Sequence, residues 1–232
     1  MTSSGNVRAF LINLDERPDR LRQSTERLAR AGITAERISA HTPASARAMG
    51  IRPTAPGYAP GNLGCVASHL EVYQRVVDEG IERALVLEDD VLPGVRFRQR
   101  LIRSLAELPD DFALFQAGWV DLDPLHRRGV SSLARSVLGT FVPGADHRIA
   151  APFRFGTHAY VVTPFFARHA LEHFRSPHLP IDDLITDHST CAPLRGRCWV
   201  SLPSLALQDD SPSNITARRE VEGFPTWRRW IA

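Results

Sequence analysis

Glu88, Asp89 and Asp90 stand side by side where the apolar run Ala84, Leu85, Val86 and Leu87 ends. Alternate residues of an extended chain face the same way, so Glu88 and Asp90 are expected on one side and Asp89 on the other. The carboxyl end of a buried strand is where open α/β sheets bind ligands. Three carboxylates so close repel one another. A hard, oxygen-seeking divalent cation such as Mg²⁺ or Mn²⁺ would relieve that repulsion while bridging phosphate oxygens. The competing reading is a solvated strand end that caps the next helix, and these three residues alone do not separate the two.

The elements around this strand set the fold class. Residues 7–14 (VRAFLINL) read as a buried strand and 17–32 as the helix after it, with Pro18 in the first turn, Leu21 and Leu28 on one face and Gly32 as the stop. A short strand is expected at 35–39. The four prolines of residues 41–61 predict a loop. In 61–80, Val66, Leu70, Tyr73 and Val77 recur at helical spacing behind Asn62, a candidate N-cap. Beyond the acidic strand a helix is expected near 95–107 and a strand at 112–118. Residues 119–153 read as a long excursion beside the site that carries specificity. A strand at 157–163, helices at 164–174 and 180–189, and one or two strands in 198–208 complete the pattern. Apolar strands alternating with helices predict an α/β fold whose mostly parallel sheet is covered by helices on both faces.

Composition narrows the function. At 232 residues the chain fits one domain with a substantial core. A net charge of +2 argues against nucleic acid as the main partner. All 28 basic residues are arginines, which removes every mechanism that needs a lysine. Cys65, Cys191 and Cys198 lack metal-site spacing and suggest reduced thiols, with a Cys191–Cys198 bridge left open. No leader stands out at the start, and no stretch approaches ~18 apolar residues, so a cytoplasmic protein is the expectation.

Five motifs occur in order: FLINLDERPDR, GNLGCVASHLEVY, ALVLEDDV, GTHAYVVTP and PIDDLITDHS. Together they resemble glycosyltransferase family 25, the bacterial lipopolysaccharide-type glycosyltransferases and procollagen galactosyltransferases. The similarity runs from about residue 8 to 215 and is thinnest over 119–153. It implies a GT-A fold, with a Rossmann-like nucleotide-sugar half (about 1–118), an acceptor half (about 119–215) and a tail (216–232). It also implies inverting transfer of a hexose, galactose first, from a UDP-sugar, assisted by Mn²⁺ or Mg²⁺. Response-regulator receiver domains share an acidic strand end, but theirs lies near the N-terminus and needs a lysine. A nucleotidylyltransferase would open with a glycine-rich loop, which INLDERPDR lacks. A non-catalytic nucleotide-sugar or glycan-binding protein on the same scaffold is the remaining alternative.

The family resemblance distributes roles. Asp90 would be the metal ligand, and Glu88 would face the donor's ribose or sugar, directly or through the metal, with Asp89 beside them. Asn13 and Arg17 are candidates to touch the nucleotide, arginine being able to fork onto phosphate, whereas Arg20 is expected to solvate a helical turn. Gly61 and Gly64 would admit the donor close to the backbone at a helix start. Ser68 would hydrogen-bond the donor; His69 would do the same or be a satisfied core histidine. Cys65 is read as packing, since nothing near it in sequence lowers its pKa. Gly156, Thr157 and Tyr160 would line the sugar pocket. Asp183 is expected to be the base that deprotonates the acceptor, with Asp182 orienting it, unless one of the pair caps a helix. A further metal or phosphate ligand would come from His188, Gln208, Asp209 or Asp210, with Ser213 and Asn214 in the matching stretch.

The tail carries Trp227, Arg228, Arg229 and Trp230. It reads as a segment docked on its own fold or on a second subunit, with peripheral contact to an anionic membrane as the other reading. The acceptor is left as a saccharide, a lipid-linked oligosaccharide, a peptide or a small natural product. The shortness of the chain beside the procollagen enzymes points to a bacterial one.

Overall fold

The computed structural model describes residues 7–120, 147–150 and 154–209. Along the chain these form β1 (Arg8–Asn13), α1 (Pro18–Arg30), β2 (Ala35–Ser39), α2 (Pro43–Ala48), α3 (Pro60–Asp78), β3 (Ala84–Glu88), β4 (Val91–Pro93) and α4 (Phe97–Ala106). There follow β5 (Leu114–Gly118), β6 (His147–Ala150), β7 (Ala159–Val162), α5 (Pro164–His173), α6 (Ile181–Thr190), β8 (Cys198–Leu202) and β9 (Ala206–Gln208). The strands make one sheet in the order β2-β1-β3-β7-β5-β8-β6, with a β4–β9 ladder attached to β5.

Strands β2, β1, β3, β5 and β8 share one direction, and β7 enters against them between β3 and β5. The outermost strand, β6, also runs in reverse. Five of these seven strands share one direction, so the sheet is mostly parallel as expected, and the two reversed strands make it a mixed one. A strand buried on both faces reads as an apolar run whichever way it points, so its direction is invisible in composition. Helices on both faces are present as expected. Strand β1 sends Phe10 and Ile12 to a core shared with α3, α5 and α6, and Ala9 and Leu11 to a second core shared with α1 and α4. Strand β3 divides Ala84 and Val86 from Leu85 and Leu87 in the same way. By that parity Glu88 lies on the face that α3 covers.

Residues 41–61 differ from the expected loop. Thr42 accepts the backbone N–H of Ser45, whose hydroxyl in turn accepts that of Thr42, and Pro43 takes the first helical position, so α2 forms. Helix α3 starts at Pro60 with Ala59 as its N-cap, and Asn62 is buried instead of capping. The two helices meet at Gly64, where a Cβ would collide with the carbonyl oxygen of His41. That close approach explains the glycine. Among the described residues no helix is long and apolar enough to cross a membrane.

Gly64→Ala is expected to destabilise the fold by roughly 1–3 kcal/mol, because backbone rather than a flexible side chain must give way. Urea unfolding measures it; an unchanged midpoint would mean that α2 and α3 do not pack this closely.

Candidate active site

The strand ends at Glu88, and Asp89 and Asp90 form the turn into β4. Alternation therefore stops one residue earlier than an extended chain would predict, and Asp89 and Asp90 share a partner. Arg20, on the first turns of α1, places Nη1 3.0 Å from Asp89 and Nη2 3.4 Å from Asp90. Its side chain is only 11% exposed, so it is an ion-pairing residue and not the solvated arginine expected from sequence. Asn13, at the end of β1, donates to Asp89 at 2.7 Å, and Gln208 on β9 donates to Asp90 at 3.0 Å. The second carboxylate oxygen of Asp90, Oδ1, is buried without a hydrogen-bond partner among the described residues. Burial first, then repulsion from Glu88, raises the Asp90 carboxyl to about 7. Burial raises Asp89 as well, against the pull of Arg20 and Asn13.

Glu88 is held differently. His69 Nε2 lies 3.3 Å from its Oε1, and the Thr157 hydroxyl donates to the same oxygen. His69 Nδ1 is 2.5 Å from the Tyr160 hydroxyl, which is 2.6 Å from that of Tyr73. Burial pushes the Glu88 carboxyl up, but His69 and Thr157 outweigh it and hold it below its usual range. Both His69 and Tyr160 are fully buried, so they reach the site through Glu88 and do not line an open pocket.

A fourth carboxylate approaches from α6. Asp182 accepts the backbone N–H of Asp183 at 3.1 Å and that of Gly156, which holds it at the start of the helix. Burial raises its pKa, and the charge of Glu88 adds to the rise, so the two acids sense each other. The turn before β7 is clamped by Gln116 on β5. That side chain accepts from Arg154 N–H at 2.7 Å and donates to the carbonyls of Arg154 and Gly156 at 2.8 and 3.0 Å. Gly156 has a φ of 96°, and a Cβ there would press on the buried ring of His158, as would one at Gly118. The glycine thus makes room for His158, whose pKa burial depresses.

Several expected donor contacts have structural duties. Ser68 is fully buried; it donates to the Gly64 carbonyl at 2.7 Å and accepts His41 N–H at 2.8 Å, so it is not offered to a ligand. Gly64 faces the His41 backbone. Arg17 pairs with Asp19 at 2.9 Å while feeling the charge of Asp89. His188 lies in a histidine cluster, 2.8 Å from His169, and no described contact joins it to Asp90. The Asp209 side chain pairs with Arg27 at 2.8 Å, and its backbone N–H donates to the Asp90 carbonyl. Cys65 has its thiol pKa raised by burial and by Glu88, Asp182 and Asp90, as a non-nucleophilic cysteine should. Cys191 and Cys198 are free thiols. Asp210, Ser213, Asn214 and the Trp227–Trp230 cluster lie outside the described residues. Sequence reasoning missed the roles of Arg20, Tyr73, Gln116 and His158; the second arginine of DERPDR was the one available signal.

An acid whose pKa rises on folding binds its proton more tightly in the native chain, so its cost appears as pH increases. In EDTA the wild type should therefore lose thermal stability relative to Asp90→Asn between pH 3.8 and about 7. Parallel profiles would show that Asp90 ionises like a surface carboxylate.

Comparison with known proteins agrees with this geometry. The family model of glycosyltransferase family 25 (LPS biosynthesis protein) matches residues 6–185. The probable inactive glycosyltransferase 25 family member 3 of Bos taurus is 29% identical over 176 residues, 70% of this chain and 28% of that protein. Procollagen galactosyltransferase 1 of Danio rerio is 28% identical over 172 residues, 66% of this chain and 26% of that one. The chain thus spans little more than a quarter of the curated relatives it matches. A solved glycosyltransferase involved in the glycosylation of the major capsid of PBCV-1 shares the fold, with a TM-score of 0.51 at 10% identity over 94% of this chain and 98% of that one. The architecture is that of a GT-A glycosyltransferase, and by the match over residues 6–185 the chain belongs to glycosyltransferase family 25.

Proposed function

We propose that the chain transfers a hexose, galactose first, from a UDP-sugar to an acceptor hydroxyl with inversion. The observation that carries this reading is the convergence of Glu88 and Asp90 from the end of β3 with Asp182 from α6, close enough for Glu88 to raise the pKa of both aspartates. A nucleotide-binding strand end and an acceptor-side carboxylate are the two halves of such a reaction. The galactosyl choice follows the name of the procollagen relatives.

The acidic turn fits a divalent cation. Asp90 Oδ1 is buried and unpartnered among the described residues, the charges of Glu88 and Asp89 act on the same carboxylate, and carboxylate oxygens are the ligands Mn²⁺ and Mg²⁺ prefer. Asp90 would hold the ion, which supplies Lewis-acid stabilisation of a diphosphate leaving group, while Glu88 would face the donor sugar. Arg20 Nη2, 3.4 Å from Asp90, is likewise buried without a hydrogen bond among the described residues, so it would share in binding the diphosphate. Asn13, Arg17, Asp89 and Thr157 frame the donor side. For the base we favour Asp182 over Asp183, because its raised pKa and its electrostatic tie to Glu88 put it at the junction of donor and acceptor. Asp183 then orients the acceptor. The acceptor class is a saccharide, lipid-linked glycan, peptide or small natural product.

A non-catalytic nucleotide-sugar binder is the reading that the name of the bovine relative supports. Such a protein has no need of a buried acceptor-side carboxylate. Asp182→Asn should leave UDP affinity unchanged and lower transfer roughly 10²–10⁴-fold, with Asp183→Asn losing less. Steady-state transfer from UDP-galactose, beside UDP titration, checks it. Equal loss of UDP affinity would move Asp182 to the donor side, and UDP binding without turnover in the wild type would favour the binder.

A further inference from the structure

Cys65, His69 and Glu88 bring a thiol sulfur, an imidazole nitrogen and a carboxylate oxygen within 4.8 Å of one another. Cys65 and His69 are four residues apart on α3 and so share a face. Glu88 meets them from the end of β3, on the side of the sheet that α3 covers. Within the trio, His69 Nε2 is directed at Glu88, while Nδ1 is tied to the Tyr160 hydroxyl and that hydroxyl to Tyr73. Holding the outer nitrogen of a histidine on an oxygen fixes the ring and aims the inner one, which is how metal-ligating histidines are prepared.

The donor set selects the ion. One sulfur, one imidazole and one carboxylate suit Zn²⁺, and three protein ligands leave a fourth tetrahedral position for water. Mn²⁺ and Mg²⁺ favour all-oxygen surroundings, which Asp90 offers and this trio does not. The local field is also right for a cation, since Glu88, Asp182 and Asp90 all act on the Cys65 thiol through their charge. Cys65 is only partly covered and the Glu88 side chain keeps 22% of its exposure, while His69 is fully buried behind them.

We propose that Cys65, His69 and Glu88 form a zinc site that clamps α3 to the end of β3. Binding takes the sulfur as thiolate, its proton passing to solvent, leaves the imidazole neutral with its proton on Nδ1 toward the Tyr160 hydroxyl, and forms bonds from Sγ, Nε2 and a Glu88 oxygen to the ion. The site does not depend on the chain being a glycosyltransferase, and its test reads the metal instead of sugar transfer.

Co²⁺ serves as the visible stand-in for Zn²⁺. Titrating it into metal-free, reduced full-length protein should produce a thiolate-to-cobalt charge-transfer band with tetrahedral visible bands, both bleached by Zn²⁺. Cys65→Ser should abolish the charge-transfer band, whereas Cys191→Ser and Asp90→Asn should keep it. Tyr160→Phe retains all three ligands and should weaken Zn²⁺ affinity roughly 10–100-fold. Zn²⁺ should also raise the unfolding temperature of the wild type and not of Cys65→Ser. Absence of a thiolate band in the wild type overturns the proposal. So does a band that survives Cys65→Ser, one lost in Cys191→Ser, or undiminished Zn²⁺ affinity in Tyr160→Phe.

Discussion

Negative charge that leaves water must be paired, and the organisation of this molecule turns on how that is done at the end of β3. Glu88 and Asp90 are two residues apart yet are treated in opposite ways. Glu88 receives His69 and Thr157, enough to overcome its burial and keep it ionised. Asp90 receives Gln208 and a share of Arg20, which is not enough, and one of its oxygens is left unpartnered among the described residues. A carboxylate kept ionised by its neighbours and another short of positive charge form the gradient on which the proposed cation and diphosphate would sit. Asp182 extends the same field to the acceptor side.

The unexpected direction of β7 is what makes this possible. Running against β3, it pairs Val86 with Tyr160 and sets Thr157 beside Glu88, so the lead into β7 becomes the far wall of the site. A parallel strand in that position would present its opposite end. Gln116 then fixes the lead-in through three backbone hydrogen bonds, and the glycines at 118 and 156 admit the His158 ring beneath it. Helix α3 closes the other side with His69, whose ring is supported by two tyrosine hydroxyls. Buried polar chains of this kind are stable only when each member is satisfied, and together they give Glu88 one position.

Much of the frame was legible from periodicity. β1 and β3 fall where continuous apolar runs put them and α1 where the helical pattern does, because burial on both faces of a strand or one face of a helix leaves a strong signal. Helix α2 was obscured, since prolines were weighed as loop formers although Thr42-Pro43 followed by Ser45 is a helix start. The acidic motif was legible as a site but not in its geometry: a turn at Asp89 breaks the alternation that an extended strand implies. Arg17 and Arg20 differ in role only because α1 carries Arg20 inward, which no local rule decides. Tyr73 was readable only as part of an apolar stripe; its hydroxyl matters because β7 brings Tyr160 to it. Ser68 and Gly64 looked like donor contacts because small residues at a helix start suit either a ligand or a close backbone, and here the backbone of His41 takes the place.

The most direct test of the claim that the β3 end holds a diphosphate through a cation is calorimetric titration of UDP, run in Mn²⁺ and in EDTA, on the wild type and Asp90→Asn. The account predicts that the wild type binds UDP in Mn²⁺ and loses most of that affinity in EDTA, while Asp90→Asn binds weakly and equally in both. Wild-type affinity that is the same with and without Mn²⁺, or an Asp90→Asn variant that responds to Mn²⁺ as the wild type does, would contradict it.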